Sequence, residues 1–334
     1  MYKRQDLVII GFGKAGKTLA KFASQQGQTV AVVEQFPAMY GGTCINIGCI
    51  PSKTLVKEGL KGHDFTTAMS RKRDVVEALN HKNYHNLADE EHITVFDHQA
   101  RFKSNTEVEL LNSSGEVEDV VTAPHIVINT GAKAVIPDIE GVATSQRLYD
   151  STGILNLATQ PKHLVIVGGG YIALEFASMF ANFGSEVTVL ERGNTIMARE
   201  DQEIAAEVVK DLENKGIRII TNAETQKFVD ETETTVVQTT QGNFNADVVL
   251  LAIGRQPNTE LGLDHTDIEL GSRGEIQVNE RLQTTVDHIY AVGDVKGGLQ
   301  FTYISLDDFR IVRDQLFNDG TRTTENRGEV PYTV

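Results

Sequence analysis

The apolar residues of this 334-residue chain fall into short, β-branched runs that do not alternate with polar ones. Two such runs open near-copies of one pattern, "DLVIIGFGKAGKTLAKFASQQGQTVAVVE" from Asp6 and "HLVIVGGGYIALEFASMFANFGSEVTVLE" from His163. Each copy reads apolar run, glycine-rich turn, alanine-rich stretch, glycine, second apolar run, glutamate. A run without alternation suits a parallel strand buried on both faces. Between the runs, Leu19, Phe22 and Ala23 in the first copy stand at helical spacing, as do Phe176, Met179 and Phe180 in the second. The pattern predicts two βαβ beginnings. Asn112–Gly115, inside a run of alternating valines and acids, predicts a hairpin turn. Three later runs return strands to turns at Thr130-Gly131, Ala252-Ile253-Gly254 and Gly293-Asp294.

The expected class is therefore α/β. It comprises two Rossmann-like, three-layer ββα dinucleotide-binding domains, the second inserted in the first. The expected edges are 1–150 and 279–334 for the first domain and 151–278 for the second.

The first turn, Gly11-Phe12-Gly13-Lys14-Ala15-Gly16, follows a strand and opens a helix. Gly11 permits the tight turn, Gly13 lets backbone approach a pyrophosphate, and Gly16 allows helix and strand to pack closely. Phosphates then meet unpaired N–H groups at the helix N-terminus. Glu34, at the end of the next strand, can accept hydrogen bonds from ribose hydroxyls. The second copy supplies Gly168, Gly170 and Ala173, with Glu191 closing it. One such turn is weak evidence, but two in register imply two dinucleotides. Their simplest joint purpose is electron transfer from a nicotinamide to a flavin.

Composition narrows the partners. A formal net charge of −15 argues against nucleic acid and anionic membranes. No window approaches the ~18 uninterrupted apolar residues of a membrane span. The charged N-terminus precedes an apolar run too short for a signal peptide, and that run enters a glycine turn. A cytoplasmic protein is expected.

Cys44 and Cys49 are the only cysteines, set in "GGTCINIGCIPSKTL" from Gly41 to Leu55. The C-x4-C spacing is not a common zinc spacing, and no histidine is near in sequence, so no metal is expected there. A redox pair fits better. The two could close a disulfide across one helical turn, with Pro51-Ser52-Lys53 continuing the helix. Thiolates at a helix N-terminus are favoured at neutral pH. Lys53 would then return on the same helix face as Cys44.

Taken in order, the first glycine turn, "GGTCINIGCIPSK", "INTGA", "GGGYIALE", "AIGRQPN" and "YAVGD" resemble the flavin-dependent disulfide reductases over essentially the whole chain. Within that family, "GGLQFTYISLDDFRIVRDQL" is most similar to bacterial reductases that protect against reactive chlorine species and reduce hypothiocyanous acid. The resemblance implies an enzyme that passes hydride from a nicotinamide through FAD to the cysteine pair and on to an oxidant. Hypothiocyanous acid or a related species stands first among acceptors, lipoamide second, and Cu(II) or Hg(II) third. A flavin-bound redox sensor without turnover is the alternative from another class.

By the same resemblance, Cys49 would face the flavin and Cys44 would attack substrate. Lys53 and Glu175 would pair near the flavin. Gly42, Thr43, Thr130, Gly131 and Asp294 would line FAD, with Gly11, Gly13, Gly16 and Glu34. Gly168, Gly170, Glu191 and Gly254 would hold the nicotinamide dinucleotide. A glutamate at position 191 predicts NADH in preference to NADPH, because a carboxylate repels a 2′-phosphate; the adjacent Arg192 works the other way.

Members of the family continue into a dimerisation domain whose His-Glu pair serves the partner's active site. That domain is expected to be missing here, through truncation rather than as a natural short form, because the chain ends just after a strand start at Pro331-Tyr332. A full-length protein would be a homodimer, and this chain alone a monomer. His81, His85, His92 and His98 lie between the dithiol region and the hairpin and are expected at the surface.

Overall fold

The computed structural model describes residues 2–329, so the strand start expected at Pro331-Tyr332 lies outside the described residues. The chain forms two compact units. The first comprises Met1–Asn46, Glu77–Lys133 and Gln256–Thr333, and the second Ile47–Val76 and Ala134–Arg255.

In the first unit a five-stranded parallel sheet runs in the order Ile289–Ala291, His125–Ile128, Leu7–Ile10, Val30–Val33, Ile93–Phe96. Its side chains leave in two directions. Leu7, Ile9, Val30 and Val32 meet Leu19, Ala20 and Ala23 of the Lys14–Gln25 helix and Ile311 and Val312 of the Thr302–Phe317 helix. Val8, Ile10, Ala31 and Val33 meet Phe102, Val108, Leu110 and Val121 of a second, four-stranded sheet. Burial on both faces is why these strands carry no alternation. The hairpin expected at Asn112–Gly115 joins strands Glu107–Leu111 and Val117–Thr122 of that second sheet. Asn112 Oδ1 accepts the N–H groups of Ser114 and Glu116, and Gly115 takes the left-handed conformation.

The second unit repeats the plan. Its parallel sheet runs Leu148–Tyr149, Val248–Leu251, His163–Val167, Glu186–Leu190, Arg218–Ile220. One face packs on Phe176, Met179 and Phe180 of the Tyr171–Asn182 helix, joined by Leu55, Phe65 and Ala68. The other packs Val165, Val167, Val249 and Leu251 on Phe228, Val237 and Ala246 of a three-stranded antiparallel sheet. Both units are thus three-layer ββα assemblies around a parallel sheet.

The unit limits at 133/134 and 255/256 replace the expected 150 and 279, and Ile47–Val76, expected in the first domain, falls in the second unit; packing explains these differences. Leu55, Phe65 and Ala68 belong to the core of the second unit. Leu148–Tyr149 is an edge strand of the second sheet. Leu261, Leu263, Ile268 and Ile276 belong to the core of the first unit. Among the described residues no helix is long and apolar enough to cross a membrane.

Candidate active site

The two glycine-rich turns share one backbone plan, each within its own unit. Gly11 N–H bonds Val33 O at 2.7 Å and Asn129 N–H bonds Ile10 O at 2.7 Å; Gly168 N–H bonds Leu190 O at 2.8 Å and Ala252 N–H bonds Val167 O at 2.8 Å. Gly11 and Gly168 both have φ above +100°. A Cβ on Gly11 would stand 2.4 Å from Asn129 O, and one on Gly168 2.4 Å from Ala252 O. No side chain fits either position, so each strand turns into its helix against the tip of the neighbouring strand.

The turns differ in how they are closed. In the first, Asn129 Oδ1 accepts the Gly16 N–H at 2.8 Å and Ser305 Oγ the Ala15 N–H at 3.2 Å. Asn129 Nδ2 also donates to Val292 O at 3.0 Å. In the second, position 252 is alanine, and the residue that opens the Tyr171–Asn182 helix, Gly170, has no side chain with which to cap it. A Cβ on Gly170 or Gly254 would meet nothing within 4 Å. Both helices start at a glycine, whose own side chain cannot cap them. In the first, Asn129 and Ser305 already take the Gly16 and Ala15 N–H groups, so the N–H groups ahead of Ala15 and the positive end of the helix dipole face an anion such as a dinucleotide pyrophosphate. The second presents the same dipole end from Gly170 onward.

The terminal glutamates are held by backbone. Glu34 accepts the N–H groups of Phe12 and Phe36, each at 3.1 Å. Burial pushes its carboxyl above the ordinary glutamate value, against the downward pull of those backbone bonds. Glu191 accepts Gly193 N–H at 2.6 Å, and its carboxylate lies against Gly169 and Gly193.

Gly42, with φ of +79°, lies on the first turn: a Cβ there would come 2.8 Å from Gly13 Cα. Thr43 follows at the start of a short helix, Thr43–Asn46, that carries the half-buried Cys44. Thr43 Oγ1 is the nearest neighbour a Cβ on Gly131 would have, at 4.0 Å. The Thr130-Gly131 turn is clasped by Asn258, which donates to Thr130 O, accepts from Thr130 Oγ1 through its own carbonyl, and donates its N–H to Gly131 O. Asp294 sits in the short helix Gly293–Lys296. Gly293 N–H bonds Asp308 Oδ2 at 2.8 Å, and the fully buried Asp308 is neutralised by Lys296 and Arg327.

One residue unforeseen from sequence acts electrostatically on Cys44. Lys17 reaches inward from the first helix, and its Nζ donates to Gly41 O at 3.2 Å and Asn83 Oδ1 at 2.5 Å. Burial, aided by repulsion from Lys14, lowers its pKa to about 8, and attraction to Cys44 works against that fall.

Cys49 does not share a helix with Cys44, contrary to the single helix expected. Gly48, at φ −129° and ψ −116°, is not helical, and a new helix runs Cys49–Leu60. Lys53 therefore shares a helix face with Cys49, four positions before it, and not with Cys44. Pro51 falls in the first turn, where its missing N–H costs nothing. Cys49 is exposed at the helix N-terminus. Within the second unit Lys53 Nζ forms a salt bridge with Glu175 Oε1, which also accepts Ser52 Oγ at 3.1 Å.

Of the histidines, His81 and His85 are exposed as expected, whereas His92 and His98 are only half exposed. His98 Nε2 bonds Glu118 at 2.8 Å.

Comparison with known proteins agrees with this geometry. Residues 5–308 match the family model described as "Pyridine nucleotide-disulphide oxidoreductase". A probable pyridine nucleotide-disulfide oxidoreductase, RclA of Escherichia coli K12, is 50% identical over 99% of this chain and 75% of its own length. A dihydrolipoyl dehydrogenase of Geobacillus stearothermophilus is 34% identical over 88% of this chain and 66% of its own length. A mercuric reductase of Bacillus cereus is 32% identical over 90% and 50% respectively. The chain thus spans one half to three quarters of these three relatives. A solved structure described as a Cu(II) complex of the HOCl-induced flavoprotein disulfide reductase RclA from E. coli superposes with a TM-score of 0.96. It is 49% identical, over 99% of this chain and 75% of that one. The chain belongs to the pyridine nucleotide-disulphide oxidoreductase family, flavoprotein oxidoreductases that work with FAD and a nicotinamide nucleotide.

Proposed function

We propose that this chain is the two-domain catalytic part of an NADH-dependent disulfide reductase. Its cysteine pair, Cys44 and Cys49, would reduce hypothiocyanous acid or a related reactive chlorine or sulfur oxidant. The observation that carries the reading is the setting of the cysteines. Cys44 stands two residues after Gly42, which packs on the first dinucleotide turn, and Cys49 opens the helix whose Lys53 pairs with Glu175.

The difference between the two turns supports a division of labour. The first, closed by Asn129 and Ser305, suits a resident FAD held by Gly11, Gly13, Gly16, Glu34, Gly42, Thr43, Thr130, Gly131 and Asp294. The second, open around Gly170 and Gly254, suits a nicotinamide dinucleotide that enters and leaves each cycle. Glu191, with Gly168, selects NADH by hydrogen-bonding a 2′-hydroxyl and repelling a 2′-phosphate. When bound, FAD supplies two-electron exchange between the nicotinamide and the cysteine disulfide.

The residues do the rest. Lys53, held by Glu175, places a positive charge beside Cys49. The Lys17 ammonium interacts favourably with a Cys44 thiolate. That thiolate attacks the sulfur of hypothiocyanous acid and expels hydroxide, which leaves as water after taking up a proton. The Cys49 thiolate then attacks the Cys44 sulfur, forming the disulfide and releasing thiocyanate with the electron pair. Two electrons from NADH reopen the disulfide. Overall, NADH and hypothiocyanous acid yield NAD⁺, thiocyanate and water.

Cu(II) is a second acceptor, supported by the Cu(II) complex of the 49%-identical E. coli protein. The full-length enzyme would be a cytoplasmic homodimer, with a base from the partner's dimerisation domain assisting Cys44. The test is NADH oxidation by the FAD-loaded protein with hypothiocyanous acid, lipoamide and Cu(II) compared. Turnover that persists in a Cys44→Ser variant would overturn the reading.

A further inference from the structure

The Phe65–Ala88 helix carries a histidine pair that the dithiol mechanism does not use. His81 and His85 lie one turn apart on its exposed face, with Nε2 atoms 3.1 Å apart. His85 Nδ1 bonds both carboxylate oxygens of Asp89, at 3.0 and 3.2 Å. We propose that His81 and His85 form a surface site for a divalent transition-metal ion that prefers imidazole, such as Cu(II), Ni(II) or Zn(II), with Asp89 orienting His85.

Three physical points carry this. The first is the bite. An ion held by two imidazole nitrogens at roughly 2.0–2.1 Å with 3.1 Å between them would have an N–metal–N angle of about 100°. That lies between the right angle of square or octahedral coordination and the tetrahedral angle. The second is the tautomer. With its Nδ1–H donated to a carboxylate, His85 presents the lone pair at Nε2, and such a carboxylate behind a ligating histidine fixes its tautomer and ring orientation. The third is cost. The helix backbone already sets the separation. His81, whose Nε2–H bonds His85 Nε2 in the metal-free pair, gives up that bond by carrying its hydrogen on Nδ1 instead, and small rotations about the broad χ2 torsions then bring both lone pairs to one point.

No group of three or more histidine, cysteine or carboxylate ligands converges among the described residues. Water would fill the remaining positions, and the ion would exchange readily.

The site also touches the redox segment through its helix. Asn80 donates to Asn46 Oδ1 at 3.0 Å, Asn83 accepts Lys17, and the Tyr84 ring lies 4.7 Å from Tyr40. An ion clipping His81 to His85 would stiffen the helical turn from which these contacts to the Tyr40–Asn46 segment and to Lys17 are made.

The experiment uses the full 334-residue chain, FAD-loaded, in a Cys44→Ser/Cys49→Ser background so that thiols bind no metal. Isothermal titration with Ni(II) alone is expected to fill one site per chain. His81→Asn and His85→Asn should each weaken it at least about tenfold, and Asp89→Asn roughly 10–100-fold. Ni(II) should raise the melting temperature of the parent and not that of His81→Asn. An unchanged isotherm in both histidine variants overturns the proposal, and so does a parent that takes up no Ni(II). Far-UV circular dichroism certifies each variant's fold, and the two histidine variants stand in for each other should one misfold.

Discussion

Lys53 and Glu175 form a salt bridge between the helix that begins at Cys49 and the helix that follows the second glycine turn. Ser52 donates to the same carboxylate oxygen, so Glu175 is fixed from two adjacent positions of one helix. With the Lys53 side chain 68% exposed, the pair contributes little to stability, roughly 0–1 kcal/mol. Its expected role is electrostatic. Glu175→Gln should leave the unfolding midpoint nearly unchanged and slow flavin reduction by NADH about 10- to 100-fold. Stopped-flow absorbance beside a denaturant melt checks both. A large loss of stability with normal flavin reduction would make the pair merely structural.

Asn129 closes the first turn by accepting from buried Gly16 N–H and donating to Val292 O. Removing it strands two buried backbone groups, each costing about 1–3 kcal/mol. Asn129→Ala is therefore expected to destabilise the protein by about 2–6 kcal/mol and to lower FAD retention after gel filtration. Chemical denaturation and the flavin-to-protein absorbance ratio measure the two effects.

Lys17 gives a pH signature. Its pKa is about 8 in the folded chain against 10.5 for the ordinary side chain. Between those values the unfolded chain binds more protons at this position than the folded chain does. Stability from this group therefore rises as pH climbs from about 8 to about 10.5 and is lowest below that window. Urea midpoints across that range, for the parent and Lys17→Met, should differ in slope, with the variant lacking this rise. Parallel profiles would contradict the assignment. Loss of the Lys17 cation should also slow the attack of Cys44 on oxidant near neutral pH.

Glu191 should decide between the two nicotinamide dinucleotides. Glu191→Ala is expected to narrow the preference for NADH about tenfold or more in kcat/KM, by removing a hydroxyl acceptor and a repelling charge. Steady-state kinetics with both nucleotides test this. A parent enzyme that already prefers NADPH would contradict it.

The βαβ units were legible because buried parallel strands and glycine turns leave local marks: runs such as Leu7–Ile10, and Gly11 at a position where any Cβ would strike Asn129. What escaped was non-local. Nothing near Gly16 announces that its N–H is satisfied by Asn129, far along the chain, or that Ser305 bonds Ala15. Lys17 reads as a solvated lysine until Gly41 and Asn83 fold over it. The break at Gly48 was hidden for a different reason. Helix periodicity over so short a stretch cannot separate one helix from two, and the backbone angles at a glycine are not written in its neighbours. The unit limits moved because cores, not motifs, assign segments, as Leu261 and Leu263 demonstrate.

The most direct test of the whole account is an anaerobic NADH titration of the FAD-loaded protein, then addition of hypothiocyanous acid. NADH should bleach the flavin in both the parent and Cys44→Ser, with rapid reoxidation and stoichiometric thiocyanate following in the parent alone. Equal reoxidation of the two proteins would contradict it, because electrons would then be leaving by a route that bypasses the cysteine pair.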